Sequence, residues 1–351
     1  MQNAIYWSPQ RKAVRALLRP FAVPSFARSL PLLMLDGGLY VAALVAVVVV
    51  PGVGWKLLAS IVVGLAIARL FVLGHDACHQ ALTPSRRANA WLGRIVFLPS
   101  LTCYSLWGAG HNLAHHGFTG LRGQDMAWVP LSPKAYLARS RGARWLYRAY
   151  RSWWGAGLYY GHDIWWRQQF FPRGKVRRIF TLDSWLVTAF LAAQVGLLTG
   201  IAHTTGQSPW LLVGLGVALP YLLWLWMAGF VFYLHHTDET ARWFDDEVEW
   251  RAAQPHLDGT HGTHLPLRID MLLHHALEHT AHHVNPAIPC YRLAAAQRAL
   301  EVAYPAAVPM RPVTWRRYLA ITRTCQLYDS RDHRWVTFAE LESIPLAAGS
   351  R

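Results

Sequence analysis

Four stretches of this chain are longer and more apolar than a water-soluble fold would carry: residues 33–50, 55–73, 185–201 and 210–234. Apart from Lys56 at the edge of the second, only Asp36 and Arg69 place a charge inside them. Each is about long enough to cross roughly 30 Å of hydrocarbon. Trp55, Trp185 and Trp210 stand at run ends, where interfacial aromatics belong. With 53% hydrophobic and 15% charged residues, the whole composition leans the same way. The expected fold is an all-α integral membrane protein. Four transmembrane helices form two hairpins, closed outside by residues 51–54 and 202–209.

Charge orients these spans. Of 34 Lys and Arg residues, only Lys56 and Arg69 fall in the first hairpin, and none lies between residues 185 and 234. The N-terminal, central and C-terminal segments therefore share one side, which the positive-inside rule makes cytoplasmic. The chain divides into a basic interfacial segment (1–30), hairpin one (31–73), a first cap segment (74–183), hairpin two (184–236) and a second cap segment (237–351). Residues 11–20 read as a basic amphipathic helix lying on the membrane surface, with no cleavable signal. Much of the net charge of +15 faces the cytoplasm, where it meets anionic lipid headgroups or an acidic partner. No nucleic-acid module is present. The four cysteines follow neither disulfide nor zinc spacing and are expected to stay reduced.

Three histidine clusters carry the chemistry: His75 with His79, His111 with His115 and His116, and His279 with His282 and His283. Residues three and four apart share a helix face, so each cluster can aim its rings at one spot. With 18 histidines in 351 residues, one HxxxH is expected by chance. A given three-histidine pattern such as HxxHH is expected only about 0.05 times per chain. His236 ends the fourth apolar run and adds a ninth ring. His162, His203, His256, His261, His264 and His333 read as ordinary hydrogen-bonded histidines. All clusters share the cap side only if the apolar stretch 95–109 does not span. At about 15 residues, with Pro99 and Gly108 inside it, that stretch is too short to cross.

Eight or nine imidazoles are too many for one metal and suit two. Neutral imidazole binds iron, zinc, copper and nickel, and no cysteine set argues for structural zinc. Asp76 and Glu278 are placed to orient ligand rings by hydrogen bonds. A two-metal centre at a membrane surface suits the oxidation of an unactivated C–H bond by O2, in a substrate embedded in lipid.

These boxes, with His235-His236-Thr237-Asp238 after the last run, resemble the membrane-bound fatty acid desaturase family, nearest its bacterial and plant methyl-end branch. The likeness continues through Gly123-Gln124-Asp125-Met126, Trp243-Phe244-Asp245-Asp246-Glu247, the run from His282 to Leu293, and Cys325-Gln326-Leu327-Tyr328-Asp329. The resemblance implies two irons held by His75, His79, His111, His115, His116, His279, His282 and His283, with His236 as a further ligand. Zinc can replace iron in a purified sample. His235 stands where relatives often have glutamine and, with Asp125, is assigned a supporting place behind the ligands. His274 and His275 fall outside the ligand set. The implied activity is O2-dependent formation of a cis double bond in a fatty acyl chain carried by lipid, coenzyme A or acyl carrier protein. Electrons would come from ferredoxin or a similar donor, and the setting would be a bacterial inner membrane. Trp107, Trp153, Trp154 and Trp226 are candidate walls of a substrate tunnel. An acetylenase, hydroxylase or ketolase would use the same boxes. A metal transporter or sensor is a distant alternative, because it should place polar ligands at the bilayer midplane, where these spans have almost none.

Overall fold

The computed structural model describes residues 9–170, 178–253, 257, 259–305, 308 and 310–343. The elements that position the site are α1 (Pro9–Leu18), α2 (Phe26–Val49), α3 (Val53–Cys78), α4 (Arg86–Phe97), α5 (Tyr104–Trp107), α6 (Ala156–Tyr159), α7 (Arg178–Thr205), α8 (Pro209–His236), α9 (His279–Val284) and α10 (Cys290–Ala303). Among the described residues four helices are long and apolar enough to cross a membrane: α2, α3, α8 and the Leu182–Thr205 part of α7. Two-residue strands Thr263–His264 and Arg311–Pro312 pair in parallel, and Leu327–Asp329 pairs antiparallel with Arg334–Val336. These ribbons pin the cap and leave the class all-α.

Both hairpins turn on a glycine with positive φ, Gly52 (77°) and Gly206 (68°), where other residues would be strained. Lys56 is no free charge there. Its ammonium is buried and donates to the last carbonyls of α2, Val47 O (2.7 Å) and Val48 O (2.8 Å). Gln207 Nε2 reaches Val48 O at 3.2 Å, so both hairpins are tied at that end. α3 packs between α2 and α8, and α7 packs on the first half of α8. Outward side chains are apolar, among them Met34, Val41, Ile61, Leu197 and Leu222, as lipid contact requires. Trp55, Trp185 and Trp210 are exposed near the ends of the apolar spans.

The apolar stretch 95–109 does not cross. α4 stops at Phe97, the chain turns through Leu101 (φ 51°), and α5 leads into box two. The N-terminal helix is packed into the cap. Val14 and Leu18 are fully buried, and α1 packs on α9 and α10, behind box three. All four cysteines are buried and unpaired with one another.

Candidate metal centre

Nine histidines converge in two groups on the cap side of α3 and α8. His75, His79, His111, His116 and His282 form one, and His115, His236, His279 and His283 the other. Within each group one ring nitrogen per residue lies within 4.8 Å of every other. The boxes are therefore not three separate spots, as an α-helical reading of each would make them. Boxes two and three each divide their rings between the groups.

The division of box two follows from its backbone. Gly108–His115 is a π-helix, and His116 N donates to His111 O at 3.0 Å, an i→i+5 bond. At this wider pitch His111 and His116 share a face, and His115 turns toward the second group. Box one occupies the last turn and C-cap of α3, which runs on to Cys78. Box three is α9 itself, where His279 and His283 face one group and His282 the other.

The rings meet edge to edge through Nε2. His75 and His111 are 2.8 Å apart, His111 and His116 3.1 Å, and His116 and His282 3.1 Å. In the second group His236 lies 3.1 Å from His115 and 2.9 Å from His279. A neutral ring carries one proton, so this chain of nitrogens cannot be satisfied by hydrogen bonds alone. Two nitrogens bound at right angles to one ion, each at about 2.0–2.1 Å, lie roughly 3 Å apart. The spacing thus fits ligand sets around metal ions. Burial, and then the neighbouring imidazoles, hold His79, His111, His116, His279, His282 and His283 well below the ordinary histidine pKa. They are neutral at pH 7, the form that binds metal.

Tautomers are set from behind. His115 Nδ1–H donates to Asp125 Oδ1 at 2.7 Å, which leaves Nε2 free to face His236. Asp125 is itself fixed by the amides of Gly120 (2.8 Å) and Ala127 (3.0 Å). His283 Nδ1–H reaches the Thr119 hydroxyl at 3.3 Å, and that hydroxyl donates to His115 O. Two other expected carboxylates do something else. Asp76 lies 3.7 Å from His75 Nδ1, beyond hydrogen-bond reach, and instead accepts from Cys290 N at 2.6 Å, bracing α10 against α3. Glu278 pairs with His275 at 3.0 Å and touches no ring of the two groups through that bond. It sits at the N-cap of α9, where its side chain points back along the preceding loop.

The sequence profile of the fatty acid desaturase family matches residues 53–314. The chain belongs to the fatty acid desaturase family. It is 30% identical over 296 residues to the chloroplast omega-6 fatty acid desaturase of Spinacia oleracea, covering 82% of this chain and 63% of that protein. It is 30% identical over 287 residues to the sn-1 oleoyl-lipid 12-desaturase of a Synechocystis species, covering 80% of this chain and 78% of that one. The corresponding enzyme of Arthrospira platensis is 31% identical over 262 residues, 70% of this chain and 71% of its own. The chain thus spans under two thirds of the spinach relative's length.

In this desaturase-family chain two apolar cavities flank the histidines. One, between α3 and α8, is lined by Ala68, Val72, Trp224, Met227 and Val231 and ends at His75, His279 and His282. The other is smaller and enclosed by Trp107, Trp128, Tyr159 and Ile164 beside His111 and His115. Phe232 lines both. Of the proposed tunnel aromatics, Trp107 lines the smaller of these two cavities, stacked on His111 with centroids 4.9 Å apart. Trp153 and Trp154 are exposed on the cap. Trp226 stacks on Phe230, on the side of α8 where the backbone of Gly157 passes it, so a Cβ there would meet Trp226 Cα at 2.8 Å. Trp224, two residues earlier, is the cavity residue; sequence gave no sign of which face α8 turns inward.

The remaining histidines sort by partner. His235 is buried and stacked on His279 at 3.9 Å, outside both groups. His274 is paired with Asp36. His162 meets Tyr150, His333 meets Glu249 at 2.7 Å, His264 meets Leu265 O at 3.2 Å, and His203 is exposed. His261 is buried and its amide donates to His235 O at 2.9 Å. His256 lies outside the described residues.

Proposed function

We propose that this chain is an O2-dependent membrane desaturase that introduces a cis double bond into a fatty acyl chain, with two iron ions as cofactor. The observation that carries this is the junction of the two histidine groups with an apolar cavity: a carbon chain in that cavity ends against His75, His279 and His282. His75, His79, His111, His116 and His282 would hold one ion, and His115, His236, His279 and His283 the other. Bound iron supplies oxygen activation and the removal of two hydrogens from adjacent methylenes. The protein's own part is binding and exclusion. Apolar walls from Phe71 to Val231 bind methylenes and keep water from the oxidising centre. Asp125 and Thr119 hold rings of the second group in the tautomer that leaves Nε2 unprotonated.

The relatives' names make a lipid-borne oleoyl chain the first substrate to try. The concentration of Lys and Arg on the cap side supports a cytoplasmic centre in a bacterial inner membrane, and an acidic ferredoxin-type donor. The test pairs metal content of the purified full chain with mass spectrometry of cellular acyl chains, with and without expression. Two irons per chain and acyl chains lighter by two hydrogens are expected. Oxygenated acyl chains would instead favour hydroxylation, and loss of four hydrogens at one bond would favour an acetylenase. Unchanged lipids with one metal or none would sink the reading. Zinc in the preparation would not, because imidazole accepts both ions.

A further inference from the structure

The segment 265–275, just ahead of box three, is fastened to the first hairpin inside the apolar layer. Arg69 of α3 donates to Leu272 O (2.7 Å) and Met271 O (3.3 Å), and its Nε donates to Asp36 of α2 at 2.6 Å. The other oxygen of Asp36 takes His274. Arg69 lies four residues inside the cap-side end of its apolar run, and Asp36 three residues inside its own. At 1.5 Å per residue both sit roughly 5 Å below the hydrocarbon edge. The Met271 and Leu272 backbone that Arg69 grips lies within a side chain's reach of that depth, at the boundary between acyl tails and headgroups. Four apolar side chains of this segment, which also carries Arg268, are exposed: Leu267 at 92%, Met271 at 67%, Leu272 at 46% and Ile269 at 42%. Asp270 is turned in and caps Leu265 N at 2.7 Å. Leu267, His274 and His275 have φ near 50–58°, a conformation side chains resist, so tertiary ties must hold the segment in place.

The segment divides two apolar spaces. Outside it runs a groove floored by Leu35 and Leu39 of α2 and Leu65 of α3, walled by Met271 and Leu272, with polar groups only at Arg69, His274, His275 and Tyr291. Inside it lies the cavity that ends at the histidines, walled by Leu273 and Ala276. Leu65 and Arg69 face the groove, and Ala68 and Val72 face the cavity, so the two spaces share neighbouring faces of one helix. Leu272 and Leu273 line opposite spaces.

We propose that residues 265–275 are a bilayer-inserted flap, and that the groove beside it is the lateral port through which an acyl chain of a membrane lipid passes to the histidine cavity. A lipid tail matches the leucine floor, and its ester region matches the polar end. What passes the port rests on the desaturase reading; the depth of the flap does not. The four native cysteines are buried, so Leu267→Cys, Leu272→Cys and the cap control Val248→Cys can each carry one nitroxide. In full-length, iron-loaded protein in phosphatidylcholine nanodiscs, relaxation by O2 should exceed relaxation by a water-soluble nickel chelate at 267 and 272, and the reverse should hold at 248. Nickel access at 267 and 272 equal to that at 248 would overturn the flap. Leu35→Trp, which fills the groove, should raise the apparent KM for phosphatidylcholine-borne acyl chains about tenfold while kcat and iron content hold. An unchanged KM, or a parent enzyme that accepts only acyl-coenzyme A or acyl carrier protein, would overturn the port and leave the desaturase reading standing. A parent inert toward every acyl donor would sink that reading, and the nitroxide depths would still decide the flap.

Discussion

Two His-His pairs lie within ten residues of each other and have opposite fates. His274 and His275 both take left-handed backbone, and each ring meets a carboxylate, Asp36 for one and Glu278 for the other. His282 and His283 lie on α9, and their rings meet imidazoles and one hydroxyl. A carboxylate stabilises the protonated ring; a crowd of imidazoles opposes it. The Glu278 hydrogen bond raises the His275 pKa, while burial and neighbouring rings push His282 and His283 well down. The same dipeptide is a clamp in one place and a set of open lone pairs in the other. What faces the ring decides.

Breaking the second pair should cost most. His282→Ala is expected to abolish product and lower bound metal, measured by acyl-chain mass spectrometry and metal content; full activity would remove His282 from the ligand set. Breaking the clamp acts on stability. Asp36→Asn leaves Arg69 uncompensated in an apolar layer and should cost about 3–5 kcal/mol, seen as a lower melting temperature in detergent, with metal stoichiometry of the folded fraction kept. A parent-like melt would show that the Asp36 cluster is no clamp. Next is Asp125→Asn, which withdraws the carboxylate behind His115. A 10–100-fold loss of metal affinity is expected, read by competition with a chelator; unchanged affinity would mean the ring is held otherwise. The smallest effect distinguishes the pairs by pH. Because the folded pKa of His275 is raised, its contribution is present below the unfolded value near 6.5 and fades as pH rises through the raised value. His275→Gln should therefore cost up to about 1 kcal/mol at about pH 6 and little at about pH 9. An equal cost at both would contradict the assigned protonation.

The spans and the non-crossing stretch 95–109 were legible because hydrocarbon sets a minimum length that composition either meets or fails. The identities of the nine converging histidines were legible because spacing and residue type survive without coordinates. Their grouping was not, because helical arithmetic assumed 3.6 residues per turn where box two is wider. Asp125 enters the reading only through family resemblance, and its carboxylate meets His115 Nδ1; Asp76 and Glu278, chosen for adjacency, instead meet Cys290 N and His275. Thr119 gave no signal beyond standing four residues after His115. The clamp on His274 joins positions 238 apart, a contact that local pattern cannot announce. The cavity tryptophan was misplaced by two residues because an all-apolar helix shows no preferred face.

The wide turn from Gly108 to His115 also sets a limit on how this segment can vary. Deleting one residue between His111 and His116 would restore ordinary pitch and move a ring from one group to the other. One group would then be overfilled and the other short. The length of this segment is thus as restrictive as its histidines. A box transplanted into an α-helical scaffold, with every histidine kept, would pair His111 with His115 and leave His116 about 140° away, dealing the rings to the wrong groups.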